Sequence, residues 1–227
     1  DGEKIVCLDE SDGLISNDVW NLTADSKGNI WVCTMKGVSK FDGRNFTHIE
    51  LPEGEIDTTI GVSGTKAVHH VLEDSKGRIW FSTNAGLFIK DNHDLHAITA
   101  KDGFKSNFVG KVIENRKGEF MICASKGLYL YKDGSLTDIT NEFFEDRKGI
   151  SNITETSNGD LWFSCDRSYY RLHNNKLTEH RISEGNYGPI AYQIYVDRND
   201  RVWFPGWGGV FRFENGRIIN ITKDGPW

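Results

Sequence analysis

Five copies of one short pattern bring polar and aromatic side chains to equivalent positions along this chain. Aligned on the turn residues Gly28, Gly77, Gly118, Gly159 and Asp200, the position seven residues earlier is always polar: Asn21, His70, Lys111, Asn152 and Gln193. The position eight earlier holds Trp20, His69, Gly110, Ser151 and Tyr192. One more aromatic residue, Trp207, stands between Gly206 and Gly208 in the stretch WFPGWGGVF. Amides, imidazoles and an ammonium read hydroxyls and carbonyls, while indole and phenol rings cover flat apolar faces. Together these are the means of reversible binding. Trp20, Asn21, His70, Lys111, Asn152, Tyr192, Gln193 and Trp207 are therefore the candidate ligand-binding residues, with an oligosaccharide as the favoured ligand.

Catalytic arrangements have less support. His69 and His70 are the one adjacent His pair, and neighbouring residues of a regular strand point to opposite faces, so the two should not share a metal. Glycoside cleavage needs two acids facing one cleft. Asp18, Glu55, Asp57, Glu145 and Asp166 are available, but no spacing singles out a pair. Nucleophile-elbow, phosphate-loop and clustered zinc-ligand patterns do not occur. No catalytic residue, metal or cofactor is expected, and the chain reads as a binding protein rather than an enzyme.

The elements that must position these residues follow from the repeat itself. The copies read VWNLTADSKGNIW from Val19, VHHVLEDSKGRIW from Val68, VGKVIENRKGEFM from Val109, ISNITETSNGDLW from Ile150 and AYQIYVDRNDRVW from Ala191. Their closing residues Trp31, Trp80, Met121, Trp162 and Trp203 are spaced 49, 41, 41 and 41 apart. Short apolar strands joined by Gly turns, repeating every forty-odd residues, predict radially arranged four-stranded blades, a β-propeller. In the second copy the strands are expected at Ala67–Glu73, Ile79–Thr83, Gly86–Lys90 and Leu95–Thr99. Asp74 should cap the DSKGRI turn and Gly77 should take positive φ. The innermost strands, near 19–24, 68–73, 109–114, 150–155 and 191–196, would line a channel, so the candidate residues should converge at its mouth. The recurring Trp residues are expected as wedges between blades.

Two segments depart from the period. Leu51–Lys66 inserts eight residues between the first and second copies, and Asn141–Gly149 is a charged, aromatic stretch between the third and fourth. Both are expected as exposed connections on the binding face, which makes them candidate contacts for a protein partner. Glu3–Asp9 and Arg217–Thr222 both read as outer strands, one more than five blades need. The expectation is an all-β fold, one five-bladed propeller over residues 1–227, with part of a larger array as the alternative.

Composition narrows the partners. A net charge of −6 argues against nucleic acid, which demands a basic surface. No apolar run approaches the ~20 residues of a membrane-spanning helix. Aromatic content of 12% against 37% hydrophobic suits thin sheets packed through rings. Cys33 and Cys123 occupy equivalent positions two blades apart, beyond the roughly 7 Å that a disulfide tolerates. All four cysteines, Cys7 and Cys165 included, are expected as buried free thiols.

The stretch GLISNDVWNLTADSKGNIWVCTMKGVSKFDGRNF resembles the two-component regulator propeller repeat through Gly13, Leu14, Val19, Asp25, Gly28, Trp31, Thr34, Gly37, Phe41, Asp42, Gly43 and Phe46. The second copy keeps Asp74, Gly77, Trp80, Thr83, Gly86 and Leu87, and the later ones drift. The resemblance implies an extracytoplasmic sensor propeller of the kind found in hybrid histidine kinases of polysaccharide-using bacteria, located in the periplasm or outside the cell. A distant likeness to the streptogramin lyases implies the rival reading of a propeller lyase or hydrolase. A protein-binding scaffold is the third.

Overall fold

The computed structural model describes residues 5–144, 149–165, 168–181, 193–206 and 209–222. It is almost entirely β, as the repeat predicts. The first sheet contains β1 (Val19–Ala24), β2 (Ile30–Thr34), β3 (Gly37–Phe41) and β4 (Phe46–Ile49). The second contains β5 (Val68–Glu73), β6 (Ile79–Thr83), β7 (Gly86–Asp91) and β8 (Asp94–Ile98), and the third β9 (Val109–Glu114), β10 (Phe120–Ala124), β11 (Gly127–Lys132) and β12 (Ser135–Asp138). The fourth has β13 (Ile150–Glu155), β14 (Leu161–Cys165), β15 (Ser168–His173) and β16 (Lys176–His180). The fifth has β17 (Tyr195–Val196), β18 (Val202–Gly206), β19 (Gly209–Glu214) and β20 (Arg217–Asn220). Each sheet is an antiparallel meander with its strands in chain order. The fold is a β-propeller of five four-stranded blades. The chain divides into two compact units, Asp1–Val112 and Ile113–Trp227.

The DxxGxIW motif has a physical explanation in the turn. Asp74 Oδ1 accepts the Lys76 and Arg78 N–H groups, each at 2.9 Å, and Gly77 takes φ +77°. Asp74 Oδ2 accepts from Arg78 Nε at 2.6 Å and from Trp80 Nε1 at 2.8 Å. One carboxylate thus closes the turn and orients the buried indole. Asp25 holds Trp31 at 3.0 Å and Asp197 holds Trp203 at 2.9 Å in the same way. The third copy loses both partners together, with Asn115 and Met121 in their places. In the fourth, Thr156 replaces the Asp, and Arg171 lies over Trp162 at 5.8 Å while bonding Asp160.

Burial alone would push the Asp74 carboxyl up, but its bonds from Trp80 and Arg78 outweigh that and hold it below 3.8. A depressed carboxyl contributes stability that is complete above its unfolded value and is lost as pH falls through the folded one. Urea midpoints should therefore drop as pH falls through about 4 and below, where carboxylates protonate. Asp74→Asn should lower the midpoint at pH 7 and flatten that acid dependence; an unchanged slope would show that Asp74 does not contribute.

Within each unit, neighbouring sheets join through rings and through carboxylates at the turns. Trp31 meets Phe81 edge-on at 5.7 Å, and Trp162 meets Phe204 at 5.6 Å and Phe213 at 4.6 Å. Glu73 accepts from Ser26 Oγ at 2.9 Å, Glu155 from the Arg116 N–H at 2.9 Å and Asp200 from the Ser157 N–H at 2.6 Å. Trp31, Trp80 and Trp162 are buried, and Trp203 is half-buried.

Several expectations change. The fifth sheet is completed by β20, while Ile5–Asp9 lies outside every strand and is exposed. Cys33, Cys123 and Cys165 are buried free thiols, and burial pushes Cys33 up to about 12, but Cys7 is exposed. Asn141–Gly149 is not a free binding loop over its described part. Thr140–Phe143 (α1) is one helical turn, after which Phe144 is buried against Phe163 and Tyr170, at 6.0 and 5.2 Å. Burying two Phe rings is worth more than exposing them, so the segment folds inward. Residues 145–148 lie outside the described part.

Candidate functional site

The inner strands are not regular. Val19 pairs with Thr34 and Asn21 with Cys33, which leaves Trp20 as an extra residue. The same shift isolates His69 between Val68 and His70, and Ser151 between Ile150 and Asn152. A bulge at this height lets residues three apart face inward together. Val68 and Val71 are both fully buried, as are Ile150 and Ile153. The signal was present in the sequence: packing positions separated by an odd number cannot share one face of a regular strand. For His69 and His70, the bulge removes the simple opposite-face argument. Geometry separates them instead, because each is committed to different surroundings.

In the first unit, the bulge residues build a row of rings. Trp20 on β1 stacks on His69 of β5, with centroids 5.3 Å apart and planes at 19°. His69 in turn meets Phe108 at 4.6 Å. Trp20 remains 44% exposed, and its Nε1 donates to Asp18 Oδ1 at 3.2 Å. Asn21 Nδ2 donates to the His69 carbonyl at 3.1 Å, tying β1 to β5. Buried Asn84, in the β6–β7 turn, donates Nδ2 to the Gly64 carbonyl at 2.9 Å. Its Oδ1 therefore faces His69 Nε2 at 2.8 Å, which makes that nitrogen the proton carrier. Burial pushes His69 down, partly opposed by this bond, so the ring is neutral at pH 7.

His70 faces different groups. Burial first, then nearby Lys111, pushes it down to about 3. Its Nδ1 and the Oγ of its cross-strand partner Ser82 are both buried with no hydrogen-bond partner. In the fourth blade the equivalent serine, Ser164, bonds Ser151 at 2.8 Å.

The structure thus brings Trp20 and Asn21 together around His69, and places His70 beside Lys111. Asn152 on β13 is buried and Gln193, just before β17, is half-buried; both belong to the second unit. Tyr192 and Trp207 lie outside the described residues. Phe108 and Asn84 were not among the candidate residues. Phe108 stands one residue before β9, outside the two aligned positions of the repeat, and Asn84 lies in the β6–β7 turn, on a loop that the repeat puts on the same face. Among the described residues, no group of three or more His, Cys, Asp or Glu side chains is placed to hold a metal ion. Among the described residues, no helix is long and apolar enough to cross a membrane. What the ring row can do chemically is stack a flat apolar face on Trp20 and hydrogen-bond its edge to Asp18.

Comparisons place the fold among known structures. The chain superimposes on the extracellular domains of two proteins described as hybrid two component systems from B. thetaiotaomicron, with TM-scores of 0.71 and 0.69 at 20% and 18% identity. The matches cover 92% and 91% of this chain but 30% of each of those chains. It also superimposes on virginiamycin B lyase from Staphylococcus aureus, with a TM-score of 0.68 at 17% identity, covering 94% of this chain and 73% of the enzyme. No curated protein sequence matches it. Residues 13–36 and 61–85 match the family described as "Two component regulator propeller". The first two blades of this propeller thus carry repeats of the two-component regulator propeller type.

Proposed function

We propose that this chain is an extracytoplasmic sensor propeller that binds an oligosaccharide on the face carrying the bulged ends of its inner strands. The observation that carries the reading is Trp20, an exposed indole held in place by His69 below it and by Asp18 at its edge. An exposed indole offers a broad apolar face with a polar edge, and a fixed ring binds at little entropic cost. Asn21, His70, Lys111, Asn152, Tyr192, Gln193 and Trp207 are proposed to complete the site. The likeness in fold to extracellular domains of two component systems supports the sensor role and the location.

Titration calorimetry against xylohexaose, maltohexaose and mannohexaose tests this. Binding of one of them should weaken at least about tenfold in Trp20→Ala, ~1.4 kcal/mol, with the melting temperature within about 2 °C of the parent, because an exposed ring adds little to the fold. Equal binding by the parent and Trp20→Ala would remove Trp20 from the site, and binding of none of the sugars would count against the ligand class.

A further inference from the structure

A second site lies under the inserted segment, apart from the ring row. Leu51–Lys66 carries a short 3-10 turn, Thr58–Ile60, capped by Asp57, and is anchored at several points. Asn84 Nδ2 holds the Gly64 carbonyl. Asn107 Nδ2 donates to the Glu55 carbonyl at 2.8 Å, while its Oδ1 accepts the Ala100 N–H at 2.7 Å. Between those anchors Gly54 lies so close to the second blade that a Cβ there would stand 3.1 Å from Ala85 Cβ and 3.2 Å from its carbonyl oxygen. In the first blade Asn17 accepts the Glu10 N–H as Asn107 accepts that of Ala100.

The strap so fixed overhangs an open cavity of about 530 Å³ against the outer part of the second blade. That is within the ~300–1,000 Å³ of ligand cavities. Its floor is Phe88, Leu95 and Ala97, with Leu95 37% exposed. Leu95 and Ala97 alternate along β8, the outermost strand of its sheet, which pairs only with β7. The strand reads DLHAI; it carries one charged residue, Asp94 at its start, and no Lys, Pro or bulge. At the lip, Glu53 and Glu55 stand with two cations, Lys101 in the cavity lining and Lys66 beside Glu53. Among the described residues Glu55 has no ion pair, and Glu53 has only a long one to Lys66 at 3.9 Å.

We propose that this cavity and the β8 edge bind an extended basic segment of a partner polypeptide. Its main chain adds to β8, an apolar side chain enters the cavity, and flanking Arg or Lys residues meet Glu53 and Glu55. Strand addition supplies main-chain hydrogen bonds, and the pocket selects the side chain. Glu55, which has no ion pair among the described residues, favours a cationic partner. This site does not depend on the sugar-binding reading.

The test is a nitrogen-15 NMR titration with the capped peptide Arg-Leu-Arg-Leu-Arg. Comparison peptides carry Glu in place of Arg, or Ser in place of Leu. Shifts should concentrate at Gly54, Leu95, Ala97 and Lys101, and both comparison peptides should bind at least about tenfold more weakly. Ala97→Trp fills the cavity from an exposed position and should abolish binding, while Glu53→Gln with Glu55→Gln should weaken it about threefold or more at low salt. If Ala97→Trp does not fold, Leu95→Asp gives the same reading from another exposed position. No shifts up to about 5 mM peptide, a weak limit for specific recognition, would overturn the proposal. So would equal binding of the Glu peptide, or indifference to both cavity variants. Trp20→Ala should leave peptide affinity unchanged, so the two sites succeed or fail separately.

Discussion

Trp80→Ala is expected to lower stability by about 3–5 kcal/mol. The indole is fully buried, Arg78 lies over it at 5.3 Å, and its Nε1 satisfies Asp74. Removing it leaves a cavity and takes a donor from a carboxylate that has little water to replace it. For a chain of this size the apparent melting temperature should fall by roughly 10 °C or more. Trp80→Phe should recover part of the packing but not the bond to Asp74, and fall between the two. Met121→Ala, in the blade that has lost both the Asp and the Trp, should cost less, about 2–3 kcal/mol. Scanning calorimetry and urea titration of the four proteins read this order. A Trp80→Ala protein as stable as Met121→Ala would mean that the indole is not the wedge its burial indicates.

Gly86→Ala should be nearly as damaging, at about 3 kcal/mol or more, because two independent costs coincide. Gly86 takes φ +123°, which L-residues rarely adopt. A Cβ there would stand 2.8 Å from the Ile98 carbonyl oxygen and 3.1 Å from Thr99 Cγ2. That carbonyl is main chain, and Ile98 is paired with Leu87 at the end of β8, so relief requires opening the sheet. Gly77 provides the comparison. It has φ +77° in the turn after Asp74, but a Cβ would meet nothing within 4 Å. Gly77→Ala should therefore cost only the conformational strain, about 1 kcal/mol. Equal losses in the two variants would show that strain, not the close approach at Ile98, accounts for Gly86.

The local devices of this protein were legible in its residues. Alternating apolar side chains and the DxxG turn depend on neighbours close along the chain, so the strands from Val68 to Ile98 fall within a residue or so of where the repeat puts them. Asp74, Gly77 and Trp80 likewise interact over a six-residue span. The paired loss of Asp and Trp in the third copy is visible in sequence for the same reason.

What the sequence did not determine depends on contacts between segments remote along the chain. Trp20 was a plausible platform by position, but its support by His69 and Asp18, and the extension of the row to Phe108, required β1, β5 and the approach to β9 to be packed together. The bulge needed a partner strand before its extra residue meant anything, since register exists only between strands. Phe144 was charged-loop residue or core residue with equal propriety until Phe163 and Tyr170 were beside it. The eight inserted residues were countable from the repeat, but the cavity beneath them exists because Asn107 and Ala85 meet Glu55 and Gly54 from far along the chain. Period and turn chemistry are local and therefore written in order. Burial, ring stacking and cavities arise where distant segments compete for the same space, and only the tertiary structure decides that competition.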